Sequence, residues 1–131
     1  MTNTQEIVRK LVLAQKEPIR LEYKDEKTDI VFHIVLPYSF EDFVRLFVRA
    51  EQEYERYKNF IVDDELVFVS RETFDMCCRL ETFVKEPKLS LDDWLYISFK
   101  RADLIINLSQ KILEALNSDN ENFMKLMSST T

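Results

Sequence analysis

Glycine is absent from all 131 residues, where average usage of ~7% would place roughly nine. Glycine supplies positive φ and close backbone approach at little steric cost. Without it the chain can build no Walker loop, no G-x-G-x-x-G dinucleotide turn and no G-x-S-x-G nucleophile elbow. Histidine and tryptophan occur once each, and the two cysteines are adjacent, Cys77 and Cys78. Tetrahedral zinc needs separated Cys and His pairs. Neighbouring helical side chains instead diverge by about 100°, so the pair reads as buried small hydrophobes. Two cysteines make no secreted disulfide scaffold, so a reducing intracellular compartment is the default.

Positive charge is outnumbered: Lys plus Arg is 18 against 24 for Asp plus Glu, a net charge of −6. That balance argues against nucleic acid, where affinity comes mainly from cations on phosphates, and against an anionic membrane surface. No apolar run approaches the ~20 residues that cross a bilayer. The opening Met1-Thr-Asn-Thr-Gln-Glu lacks the basic and apolar regions of a signal peptide. The acidic excess suits solubility, and an acidic mimic of a basic-patch ligand stays open as an alternative.

What the chain does contain is a clear change of periods. Ile7, Val8, Leu11, Val12 and Ala14 predict a short amphipathic helix from Thr4 to about Lys16, with Asn3 and Glu6 as cap and capping-box partner. Ile19, Leu21 and Tyr23 then alternate with Arg20 and Glu22, which predicts a strand. A second apolar strand runs from Asp29 to Leu36 across the polar loop Lys24–Thr28. Together they predict an antiparallel hairpin over residues 19–36, its loop shaped by Lys24, Asp25 and Glu26 in a type I turn.

Helical spacing returns at Phe40 after Pro37, with Ser39 and Asp42 as a capping-box candidate. Phe43, Phe47, Ala50, Tyr54 and Tyr57 form the expected inner stripe, widened by Val44 and Val48, with Arg45, Arg49, Glu51, Glu53 and Glu55 on the other side. Phe60 to Val69 suits a second small hairpin or an extended connection around Asp63-Asp-Glu65. Ser70 caps a predicted helix to about Val84 with Phe74, Cys77, Cys78 and Leu80 inward. After Pro87, Ser90 and Asp93 open a long helical stretch to about Asn117, with Arg101-Ala-Asp103 the place where a bend would fall. The expectation is an α+β, mostly helical single domain over residues 1–117. Its hairpin packs on four or so helices, and a polar, mobile tail covers residues 118–131.

No catalytic residue, cofactor site or metal site proposes itself. His33 lies inside an apolar strand, where a lone histidine is usually a surface or core-edge residue. The acids at 63–65 and 92–93 sit in a turn and at a helix start, where the helix dipole accounts for acids such as Asp92 and Asp93. An enzyme of unrecognised type would need a pocket converging on His33 or the acidic loops.

The last helical stretch is the exception. Leu91, Leu95, Ala102, Ile105, Ile112 and Leu116 form one stripe, and Tyr96, Phe99, Ile106 and Leu113 a second. An apolar surface this wide is sandwiched or offered to a partner. Trp94, Tyr96, Phe99, Ile106 and Leu113 are therefore the candidate partner-binding residues, Trp94 as an aromatic anchor.

The element order, closing on a helix that opens Leu89-Ser-Leu-Asp-Asp-Trp-Leu and ends Ile112-Leu-Glu-Ala-Leu-Asn117, resembles the small tail assembly chaperones of long-tailed bacteriophages and related prophages. The likeness covers residues 1–117. The glycine-free composition, leaning to Lys, Glu, Asn and Ile, suits a phage of an AT-rich Gram-positive host. The resemblance implies a non-enzymatic protein of the host cytoplasm that binds the tape measure protein, keeps its apolar helices soluble and aids tail tube protein assembly. It also implies self-association and, in many members, a frameshifted longer form; the polar residues after Asn117 suit such a junction.

Overall fold

A computed structural model describes residues 3–13, 18–36 and 40–129, with the side chains of 12–13, 40–43 and 117–129 left out of account. The elements run α1 (Asn3–Leu13), β1 (Ile19–Lys24), β2 (Val31–Leu36), α2 (Phe40–Tyr57), β3 (Asn59–Val62), β4 (Glu65–Phe68), α3 (Arg71–Phe83), β5 (Val84–Glu86), α4 (Leu91–Lys100) and α5 (Ala102–Ser129). The architecture is α+β: five helices among the described residues, a three-stranded antiparallel sheet and a separate two-stranded hairpin.

β1 and β2 pair as expected, from Ile19 opposite Leu36 to Lys24 opposite Val31. Alternation puts Phe32, Ile34 and Leu36 in the core and leaves Val31 and His33 on the outer face. The sheet has a third strand that the sequence reading omits. β5 pairs antiparallel with β2, His33 opposite Glu86 and Ile34 opposite Val84, with a register shift between them. Three residues between a helix and Pro87 are too few to show a period, so only tertiary pairing defines this strand.

The β1–β2 connection closes with the Thr28 and Asp29 N–H groups donating to the Asp25 carbonyl, and Asp29 takes φ 64°. β3 and β4 resolve the open alternative in favour of a hairpin: Val62 faces Glu65 across Asp63-Asp64, at φ 51° and 66°. Positive φ at both central residues is the type I′ geometry that suits a two-residue hairpin, usually with glycine second. Aspartates take the left-handed positions here. Asp64→Gly, which leaves the Asp63 contacts intact, is expected to stabilise the fold by about 0.5 kcal/mol, left-handed strain relieved slightly exceeding the added entropy of the unfolded chain. A urea midpoint that falls would contradict this account of the turn.

α3 is the central helix. Ser70 Oγ accepts from the Thr73 N–H, and Phe74, Cys77, Cys78, Leu80 and Phe83 are all buried. Both cysteines fit inside because α3 packs between α2 on one side and α4 and α5 on the other. The Ser90–Asp93 capping box forms as expected. The last helical stretch breaks fully at Arg101, whose φ −136° and ψ 62° end α4 before α5 starts.

Other expectations change. α1 begins at Asn3 itself, so Asn3 is its first residue and not a preceding cap. Its apolar residues Ile7, Val8 and Leu11 are exposed, as are Val44, Phe47 and Val48 of α2. The inner face of α2 is carried by Leu46, Ala50, Tyr54 and Tyr57. Arg49 and Glu53, expected in solvent, are half-buried: Arg49 donates to Glu53 and to Glu81 of α3, both at 2.8 Å. α5 continues as helix to Ser129, twelve residues past the expected end at Asn117. The Ser39–Asp42 capping box and the expected end of α1 at Lys16 lie outside the described residues.

A candidate helix-binding groove

Trp94 is not a surface anchor. It is fully buried, its ring centroid 6.0 Å from that of Phe32, and its indole N–H has no hydrogen-bond partner among the described residues. Its position, three residues after Leu91 and one before Leu95, sets it on the inner face of α4 with both. Its place at a helix start marks it, from sequence alone, as an interface anchor. The core claims it because α4 packs along α3 and meets β2 where Trp94 lies against Phe32.

The other four candidates remain at the surface and do not form one stripe. Tyr96 donates from its hydroxyl to Asp63 at 3.1 Å, and the Lys100 ammonium lies over its ring while pairing with Asp63. Lys100, foremost, and then Tyr96 hold the Asp63 carboxyl below its usual value. Tyr96 thus secures the β3–β4 turn to α4. Phe99 and Ile106 are exposed on α4 and α5. The break at Arg101 separates the two helices, so a stripe drawn along one continuous helix is interrupted there.

Leu113 is different, because it borders a hollow of about 390 Å³ between α2, α3 and α5. The floor is Ala50, Cys78, Phe83 and Ile112, all buried. Two of these are small side chains, which lets the floor recede. Phe47, 64% exposed, and Leu113, 47% exposed, stand beside it. Asp75 and Arg79 on α3 are its polar members, and Asp75 is already engaged by Arg71 at 2.9 Å. An apolar floor with two raised apolar walls between helices matches the shape that accepts one face of an amphipathic helix. Sequence periodicity shows Phe47 and Leu113 on over-wide stripes but cannot show that the two stripes flank one hollow.

A second apolar surface lies on the hairpin. Ile61 faces Leu66 and Asn59 faces Phe68, so Ile61, Leu66 and Phe68 share one side of the ribbon. All three are largely exposed.

Titratable groups elsewhere are arranged structurally. His33 is half-exposed on the outer sheet face, 3.3 Å from Glu22, its cross-strand neighbour. Burial pushes both cysteine thiols up to about 12, so neither is a ready thiolate near neutrality. Asp25, 5% exposed, receives two N–H groups of Arg101 at 2.9 and 3.3 Å and the Thr28 hydroxyl at 2.7 Å. The same guanidinium grips Asp103 at 3.0 and 3.1 Å. This cluster fastens the β1–β2 loop to the α4–α5 break. Among the described residues no group of three or more His, Cys, Asp or Glu is placed to hold a metal ion, and no helix is long and apolar enough to cross a membrane. No family model matches the chain, and neither does any curated protein or solved structure.

Proposed function

We propose that this chain is a non-enzymatic binding protein that receives an apolar helical face of a partner protein in the groove between α2, α3 and α5. The observation that carries the reading is the pair Phe47 and Leu113, exposed on either side of a buried apolar floor. Apolar side chains held in water beside a preformed hollow gain free energy only when something covers them, at roughly 25 cal/mol per Å². The charged exterior, net −6, keeps such a protein from covering the groove by unspecific aggregation.

The resemblance to phage tail assembly chaperones supplies the partner: the tape measure protein, whose long apolar helices such a groove would keep soluble in the host cytoplasm until tail tube protein assembles around them. The test is capture of a tape-measure fragment by the full chain, measured by fluorescence anisotropy. Phe47→Asp with Leu113→Asp is expected to weaken capture at least thirtyfold, the effect of losing a central apolar anchor pair. Tyr96→Ser with Phe99→Ser, on the other side of the helix break, is expected to change it less than threefold. Capture by the groove should also vary little with salt, whereas an acidic mimic would bind a basic surface and lose affinity steeply. Full capture by the Phe47/Leu113 variant with its fold intact would rule out the groove.

A further inference from the structure

The β3–β4 ribbon is separate from the three-stranded sheet, and among the described residues no further strand pairs with it. One step beyond the Asn59–Phe68 pair, the Val69 N–H donates straight across to the Lys58 carbonyl at 2.8 Å. Antiparallel pairs alternate between bonded and non-bonded, so Phe60–Val67 and Val62–Glu65 carry the ladder. Asn59, Ile61, Leu66 and Phe68 hold the alternate positions, and their N–H and C=O groups point away from the ribbon. Those of Leu66 and Phe68 lie along the outer edge of β4, about 7 Å apart. Among the described residues no backbone bond from outside the ribbon reaches them. Such a row of open main-chain groups is a template for another strand.

The side chains of the same residues agree. Ile61, Leu66 and Phe68, 65%, 70% and 67% exposed, share one side of the ribbon. A strand added along β4 widens that apolar side, and its alternate residues cover Leu66 and Phe68. Charge describes the rest of the occupant. Asp64 and Glu65 stand at one end of the β4 edge and Glu72 beyond the other, all three exposed. The cations nearby in the fold are engaged: Lys100 by Asp63, Lys58 by Glu55, and Arg71 by Glu51 and Asp75. Both ends of the edge therefore favour positive charge.

We infer that the β4 edge takes an extended basic segment of another protein as an added antiparallel strand. That segment is apolar at alternate positions and carries Lys or Arg at its ends. Main-chain bonds to Leu66 and Phe68 hold it, and the side chains of the same two residues receive its apolar face. A residue opposite either of them both lays its side chain on that face and points its own N–H at β4. A second copy of this chain suits the edge poorly, because its own β4 brings Asp64 and Glu65 to an edge that is already acidic. The surface shares no lining residue with the α2/α3/α5 groove.

The probe is the fluorescein-labelled peptide Lys-Lys-Ile-Thr-Val-Thr-Ile-Lys-Lys, titrated with the full chain and followed by fluorescence anisotropy. Saturable binding in the micromolar range is expected. Methylating the backbone nitrogens of the valine and one isoleucine should weaken it about tenfold, because two main-chain bonds are lost. Methylating those of both threonines, which point to solvent, should cost less than about threefold. Leu66→Asp with Phe68→Asp, its fold checked by circular dichroism, should weaken binding about thirtyfold, and replacing the peptide's lysines by glutamates about tenfold. Phe47→Asp with Leu113→Asp should leave it unchanged, so this surface and the groove fail separately. Absence of saturable binding overturns the inference. Equal losses from the two methylated peptides also overturn it, because the apolar side alone would then be covered. A Leu66/Phe68 variant that turns an oligomer into a monomer by light scattering, with no peptide bound by the wild type, would give the edge to a second copy instead.

Discussion

Trp94→Ala is expected to destabilise the fold by about 3–5 kcal/mol, a large part of the 5–15 kcal/mol that holds a domain of this size together. The side chain is fully buried and packs against Phe32, so truncation removes its contacts with the sheet and leaves a cavity under α4. Trp94→Phe is expected to cost less than about 1.5 kcal/mol. It keeps an aromatic ring and deletes an indole N–H that has no partner among the described residues, and an unsatisfied buried donor itself costs about 1–3 kcal/mol. Urea unfolding followed by far-UV circular dichroism checks both, since the only tryptophan is the one removed. An unchanged midpoint for Trp94→Ala, with loss of partner capture, would return Trp94 to the surface role its sequence position suggests.

The second large effect lies at the junction of the β1–β2 loop with the α4–α5 break. Arg101, through its hydrogen bonds, holds the carboxyls of Asp25 and Asp103 at about 2, below the usual 3.8. A carboxyl depressed by folding contributes stability that is fully present above its unfolded value. That contribution is lost as pH falls through the folded one. The protein is therefore expected to keep its Tm from neutrality to about pH 4 and to lose it steeply towards pH 2. Asp25→Asn should lower the neutral Tm by about 5 °C or more and flatten the acid limb, so that variant and wild type converge near pH 2. The break at Arg101 should loosen with it, because Asp25 is what ties that residue to the hairpin. Parallel acid limbs in the two proteins would mean that Arg101 draws nothing from Asp25.

Trp94 and the Asp25–Arg101 cluster mark the boundary of what the sequence makes legible. The β1–β2 hairpin, α2, the Ser70 cap and the Ser90–Asp93 capping box follow from period and local hydrogen-bonding chemistry, and the structure has them. Local signals fail where the answer lies across the fold. Trp94 and Tyr96 are two residues apart, and only the packing of α4 tells which is core and which is rim. Arg49 has the look of a solvent-facing charge until Glu81, thirty-two residues away, is brought beside it. β5 exists because β2 offers it an edge. The groove follows the same rule: Ala50 and Cys78 look like ordinary inward positions, and their small size matters only once α2, α3 and α5 meet over them.

The missing glycines are answered locally. Among the described residues Asp29, Asp63 and Asp64 take the positive φ values, each in a tight turn where a short side chain tolerates the left-handed region. Two of the three lie in the Asp63-Asp64 turn that Tyr96 and Lys100 hold against α4. Acidic turns replace glycine, and cations on neighbouring elements steady them.

Site-specific photo-crosslinking reads out whether the α2/α3/α5 groove receives a partner helix. A photoreactive phenylalanine at position 47, in the full chain mixed with a tape-measure fragment, is expected to crosslink to the fragment's apolar helical face. The same probe at position 96 is expected to give little product. Crosslinks of equal yield at both positions, or at position 96 alone, would contradict the account.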